Sequence, residues 1–370
     1  MIPLCRPYLD EKEVTAVKEV LESGWLAHGP RVKEFEQQFA EYIGTSYAVS
    51  FNSCTSALQL AVQCLGITGE VILPGFTFVA SANAVVRGGA KPVFVDIQED
   101  TFNIDPAKVE EKITDKTQAI MPVHIAGHPC DMGPLMELAE KHNLNIIEDA
   151  AECIGGTYKN KKAGSFGVGC FSFYPTKNIT TGEGGMITTN DEALAKKVSM
   201  LKAHGIPSTT LDREKTKQWA RNAMEAGYNF RMSDVNAAIG IEQMKKLEEM
   251  NRKRIENAQY LSSKLDREKI GLPLVREGYS HVYQMYMITV PESVDRENFL
   301  KKLREKGIQA TIHFCPPVHL QDYYKCMGWK RGDFPVTERL SERIITLPMF
   351  PSLRKEDMAF IADTVNALLT

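Results

Sequence analysis

The chain has 370 residues, of which 43% are hydrophobic and 25% charged, an ordinary balance for a soluble globular protein of two or perhaps three domains. Lys and Arg number 44 against 47 Asp and Glu, so there is no basic surplus for nucleic acid and no charged tail. The eight cysteines form no C-x-x-C pair, which removes zinc-ribbon and thioredoxin readings and suits reduced packing residues of a cytoplasmic protein. Residues 1–10 lack a signal-peptide core, and no run of 18 apolar residues exists. The expectation is a complete, soluble, cytoplasmic chain.

Residues 11–44 have helical spacing, through Val14, Val17, Val20 and Leu21, then Phe35, Phe39 and Ile43. A loop rich in breakers, Ser23-Gly24-Trp25-Leu26-Ala27-His28-Gly29-Pro30, interrupts them. From residue 47 short apolar runs predict strands over 47–51, 70–73, 92–96, 118–123, 144–148, 168–173 and 185–189. Helices are expected between them at 56–65, 79–87, 106–112 and 132–142. This alternation predicts an α/β fold with a large, mostly parallel central sheet covered on both faces. A polar, aperiodic stretch at 207–221 reads as a mobile loop. A long helix begins near Val235 and runs to about Leu265. Beyond it, strands at 283–290 and 309–312 and helices at 296–306 and 355–369 suggest a smaller C-terminal α+β domain. The expected division is 1–240 for the large domain and 241–370 for the connecting helix and small domain.

In open α/β sheets ligands bind beyond the carboxyl ends of the strands. Three polar groups fall there. Asn52-Ser53-Cys54-Thr55-Ser56 follows a strand and opens a helix; it reads as a plain helix cap or as a phosphate cradle. Asp149 ends a strand and suits a metal, a ribose hydroxyl, a protonated ring nitrogen or a simple salt bridge. Lys177, in Phe171-Ser172-Phe173-Tyr174-Pro175-Thr176-Lys177-Asn178, lies between an apolar strand and the glycine-rich Thr180-Thr181-Gly182-Glu183-Gly184-Gly185. Most lysines are solvated charges, but one shielded there could act as nucleophile or base. A phosphate cradle, an acid and a lysine together are what pyridoxal 5′-phosphate requires.

These stretches, with Pro74-Gly75-Phe76-Thr77-Phe78-Val79-Ala80-Ser81, Glu148-Asp149-Ala150-Ala151-Glu152 and Gly227-Tyr228-Asn229-Phe230-Arg231-Met232-Ser233-Asp234, make the chain resemble the DegT/DnrJ/EryC1/StrS aminotransferases over nearly its whole length. The resemblance implies a fold type I pyridoxal-phosphate enzyme. Lys177 matches the Schiff-base lysine and Asp149 the acid that pairs with the pyridine nitrogen. Thr55, Ser172 and the backbone at Cys54, where many relatives have glycine, match the phosphate cradle. Phe78 matches an aromatic that stacks on the ring, and Glu152 a polar position beside it, often Gln or His in relatives. Asn229 matches a residue given to the neighbouring subunit's phosphate site, which implies a homodimer. Trp25, Arg231, His313 and His319 are the expected substrate contacts. Two histidines offer too few ligands for zinc, so no metal is expected.

The implied reaction moves an amino group, from L-glutamate, to C4 or C3 of a nucleoside-diphosphate keto-hexose in amino-sugar or polysaccharide biosynthesis, with pyridoxamine phosphate as the intermediate form of the cofactor. A keto-cyclitol acceptor is the near alternative. A pyridoxamine-phosphate-dependent sugar dehydratase, or a non-catalytic relative, is a more distant one. Neither nucleic acid nor membrane is an expected partner.

Overall fold

The computed structural model describes residues 1–209, 212, 213, 216, 217 and 219–369. Part of the loop expected at 207–221 therefore lies outside the described residues. The central sheet is built from β1 (Tyr47–Phe51), β2 (Glu70–Pro74), β3 (Lys91–Val95), β4 (Thr117–Ile120), β5 (Asn145–Asp149), β8 (Val168–Ser172) and β9 (Gly185–Thr189). The short β6 (Thr157–Tyr158) and β7 (Lys161–Lys162) belong to a separate three-stranded sheet with Tyr279–Ser280. The seven strands lie in the order β1-β9-β8-β5-β4-β2-β3. All are parallel except β9, which runs antiparallel to both its neighbours. The expected α/β class and mostly parallel sheet are thus what the chain adopts.

Strand alternation sends successive side chains to opposite faces. Val71, Leu73, Ile147, Cys170 and Ile187 pack in one core with the helices Cys54–Cys64, Val79–Arg87 and Glu192–Leu201. Phe171 and Met186 face the other way, onto the helices Pro30–Ile43 and Asp234–Lys264, and Ile72, Ile120 and Ile146 onto Met132–His142. Both faces are buried, which is why these strands read as continuous apolar runs.

Asp234–Lys264 is one unbroken helix of 31 residues. Ala237, Ile241, Leu247 and Met250 belong to the core against the sheet. Ala258 and Leu261 belong to a second core, shared with Ile2, the strand pair Tyr286–Thr289 and Ile344–Leu347, and the helices Arg296–Glu305 and Lys355–Leu368. The change of core therefore falls between Met250 and Ala258, inside the helix. Two strand expectations are shortened. Tyr283 has a positive φ of 45°, so the ladder begins only at Tyr286. The segment at 309–312 forms no ladder; Thr311 makes one bridge to Thr346, and Ile308 one to Ile2.

A buried acid ties the carboxyl edge together. Glu148, at 0% exposure, accepts from the backbone N–H groups of Gly164, Phe166 and Gly167 and pairs with His124 Nε2 at 3.1 Å. His124 Nδ1 accepts from the Cys130 N–H, so its proton sits on Nε2 and points at Glu148. Replacing Glu148 by Ala would orphan several buried donors at once. The expected loss is about 3–5 kcal/mol of unfolding free energy. Urea unfolding of the variant checks this, and a change under 1 kcal/mol, roughly the worth of an ordinary surface contact, would refute it.

Candidate active site

The carboxyl ends of β1, β2, β5 and β8 converge on a cavity of about 550 Å³. Because β9 is reversed, it enters the sheet at the same edge, bringing Glu183 and Gly184 to the wall. Cys54, Thr55, Phe78, Asp149, Glu152, Ser172, Lys177 and His313 all line this cavity.

After β1 the chain turns straight into the helix Cys54–Cys64. Ser53 caps it, its Oγ accepting from the Ser56 N–H at 3.2 Å. Among the described residues nothing accepts from the N–H groups of Cys54 and Thr55. The first turn carries no acid, so its positive end faces the cavity unopposed. Gly185 closes the approach: a Cβ there would lie 2.4 Å from the Ser53 carbonyl carbon and 2.5 Å from the Cys54 nitrogen. Only a glycine lets β9 pass this close to the helix entrance. Ser172, at the end of β8, adds a hydroxyl to the wall. This is an anion cradle of the kind that holds a phosphate.

Asp149, on the face of β5 opposite to Glu148, accepts from Ser81 Oγ at 2.7 Å and from the Ala151 N–H at 3.2 Å. Burial pushes its carboxyl above the ordinary aspartate value, against the hydrogen bonds that lower it. No cation of the described residues pairs with it. A protonated ring nitrogen is the partner that such an acid suits.

Lys177 follows a short turn after β8, its N–H bonded to the Tyr174 carbonyl. Its Nζ lies 3.3 Å from Glu152 Oε1, and both side chains are largely buried. The other oxygen of Glu152 accepts from the Ala126 N–H at 2.8 Å. Phe78 is 65% exposed, an uncovered aromatic face within the cavity and a surface that a ring-shaped ligand would bury. The cradle, the unpaired acid, the aromatic face and the lysine therefore fit pyridoxal phosphate.

Four expected residues do not line the cavity within one chain. Trp25 lies over Gly29, where an added Cβ would strike its indole. Asn229 and Arg231 are exposed on the segment leading into Asp234–Lys264. The substrate contact expected of His319 is corrected by its burial at 0% exposure. Its Nε2 pairs with Glu338 Oε1 at 3.1 Å, and its ring packs against Gly75, which leads to Phe78. Ser81, Tyr174 and Gln284 reach the cavity without having been singled out from sequence. Ser81 lies in the first turn of the helix Val79–Arg87 and meets the hydroxyl of Thr77, just before the helix cap, at 2.9 Å. Gln284 had no local signal.

Sheet, cradle, acid and lysine suit an aminotransferase. The chain belongs to the DegT/DnrJ/EryC1/StrS aminotransferase family, whose model matches residues 7–366. It is 39% identical over 378 residues to the spore coat polysaccharide biosynthesis protein SpsC of Bacillus subtilis, covering 100% of this chain and 97% of that protein. A candidate sugar aminotransferase of Streptococcus pneumoniae superposes in its PMP form with a TM-score of 0.95 at 30% identity, over 100% of this chain and 99% of the other, and is also known in a PLP form. Helicobacter pylori PseC, an aminotransferase involved in the biosynthesis of pseudoaminic acid, superposes with a TM-score of 0.93 at 30% identity, over 100% and 99%. Among the described residues no helix is long and apolar enough to cross a membrane.

The state of Asp149 gives a test by linkage. A carboxyl raised in the folded state binds its proton more tightly there than in the unfolded chain. Stability is therefore highest below the unfolded value, about 3.9, and falls as pH rises through the folded one. In cofactor-free protein, Asp149→Asn should raise the thermal midpoint at neutral pH, with the gain vanishing as pH falls toward 4, near the unfolded aspartate value. Melting curves across pH measure this. A variant less stable than the parent at pH 7, well above that value, would show that Asp149 is not strained by burial.

Proposed function

We propose that this chain is a pyridoxal-phosphate-dependent aminotransferase that moves an amino group from L-glutamate to C4 or C3 of a nucleoside-diphosphate keto-hexose, for amino-sugar or polysaccharide biosynthesis. The observation that carries the reading is Lys177 Nζ, shielded beside Glu152 in a cavity that also holds the anion cradle and Asp149. The names of the relatives, one a spore coat polysaccharide protein and one an aminotransferase of pseudoaminic acid biosynthesis, support a sugar as acceptor.

When bound, pyridoxal phosphate supplies a ring that accepts the electrons left when the donor loses its Cα proton. Thr55, Ser172 and the free N–H groups of Cys54 and Thr55 hold its phosphate. Asp149, held by Ser81, stays ionised against the ring's N–H and keeps the proton there. Phe78 covers one ring face. Lys177 would hold the cofactor through its Nζ, and its free amine would take the donor's Cα proton as general base. Glu152 orients Nζ, anchored in turn by the Ala126 N–H. In the second half the same residues act in reverse on the keto-sugar, which gives ping-pong kinetics.

Asn229 and Arg231 are exposed in one chain, which suits a two-fold homodimer in which Asn229 of the partner subunit completes the phosphate site. Arg231, with its fixed fork of donors, suits a diphosphate or carboxylate. Trp25 and His313 are the remaining candidate contacts for the sugar nucleotide. The reading places the enzyme in the cytoplasm.

Purified protein should be yellow, and Lys177→Ala should lose that absorbance and all transfer. Mass spectrometry of products from glutamate with a panel of nucleotide keto-sugars, and with a keto-inositol, identifies the acceptor. Amination of the keto-inositol alone would replace the sugar-nucleotide reading with the cyclitol one.

A further inference from the structure

A second, smaller cavity of about 40 Å³ adjoins the main one. Thr176, Gln284, Met285 and His313 are walls of both, while Cys5 and Thr346 line only the smaller. Gln284 is 6% exposed. Its Nε2 donates to the Thr176 carbonyl at 2.9 Å, which settles which end of the amide is which. Its Oε1 is buried and meets no donor among the described residues. A buried acceptor in that state requires a partner. The chamber exceeds the roughly 10–15 Å³ that one water needs.

The polar groups around it suit water rather than an ion. His313 Nδ1 pairs with Thr346 Oγ1 at 2.8 Å, leaving Nε2 as its other polar atom. Burial lowers the His313 pKa and keeps the ring neutral. Burial likewise raises that of the Cys5 thiol, whose Sγ lies 3.8 Å from the Thr176 carbonyl. Arg254, beside the Cys5 thiol, is a nearby charge, and it does not line the chamber; the open group that does, Gln284 Oε1, is an acceptor that water satisfies by donating.

We propose that Gln284 is a positioning residue whose Oε1 anchors a water in this chamber, and that this water is consumed when the keto acid leaves the enzyme. The inference rests on the aminotransferase reading above. Release of the keto acid breaks a carbon–nitrogen double bond between the donor skeleton and the nitrogen retained on the cofactor. The water oxygen adds to the carbon, the carbon–nitrogen bond breaks, and that oxygen becomes the keto oxygen of the acid. Both water hydrogens end on the nitrogen, with neutral His313 placed to relay one. The donor half-reaction consumes one water at this point, and the acceptor half-reaction gives one back when the keto-sugar condenses with the retained nitrogen. A water held in the wall shared with the main cavity is on hand for that step even when the donor fills the mouth.

A crystal structure of the wild-type protein at a resolution that shows ordered water should place one within hydrogen-bond distance of Gln284 Oε1. Single-turnover reactions of the cofactor-loaded enzyme with glutamate then separate two steps. In Gln284→Met, loss of the Cα deuterium label should keep its wild-type rate, while appearance of the keto acid slows by about tenfold or more, as expected when a bound reactant must instead be recruited from solvent. Gln284→Glu retains an acceptor oxygen and should recover most of the release rate. No water at Oε1, equal slowing of both steps, or a Gln284→Glu variant as slow as Gln284→Met would each overturn the proposal. Should Gln284→Met fail to fold, the wild-type crystal structure and Gln284→Glu still decide it. Failure of the wild type to take up cofactor or release keto acid would instead overturn the functional reading.

Discussion

The structure depends on two acids placed side by side on one strand. Glu148 and Asp149 end β5, and pleating sends them to opposite faces. Each is buried, and each would be prohibitively costly as a bare charge. Glu148 is fully compensated by three backbone N–H groups and His124, so it locks the Gly164–Gly167 turn that feeds β8. Asp149 has only Ser81 and one backbone N–H. The first acid is spent on architecture and the second keeps capacity for a cation. A shift of one residue in register would exchange their roles and leave the cavity with no free acid.

The same edge sets the rest of the charge pattern. The helix beginning at Cys54 presents partial positive charge, Lys177 lies beside Glu152, and Asp149 faces both from the middle strand. An elongated ligand carrying an anion at one end and a cation on its ring therefore has one favourable orientation. The reversed strand β9 is what closes this frame. Its glycine-rich entrance, from Glu183 to Gly185, passes close to the helix start, and an ordinary parallel strand would have brought its amino end to the opposite edge.

Much of this was legible in the chain because the residues that build it are local. Strand, turn and helix start are contiguous from Tyr47 to Cys64, and Ser172 and Lys177 lie five residues apart. Seven strands were placed within a few residues because parallel, doubly covered strands are apolar on both sides. What escaped was long-range. Gln284 belongs to the second half and reaches the cavity because its neighbours bond to Gly127 and Ala126 and Met285 packs with Val123 and Ile125. His319 was expected as a substrate contact from the resemblance, and nothing local marks Glu338 as the partner that it meets. The reversal of β9 is likewise a matter of pairing, which no periodicity reports.

The surface at the cavity mouth follows from the same geometry. Phe78 and Tyr174 are both large and exposed there, and Thr55 is open to solvent at the helix start. A lone subunit thus leaves apolar rings wet in a site whose chemistry needs water excluded, since electrostatic stabilisation weakens steeply with solvent access. Under the proposed reading a bound ring would cover Phe78 and leave Tyr174 exposed. In the proposed homodimer, the exposed segment carrying Asn229 and Arg231 would offer polar and cationic groups to the partner's cavity.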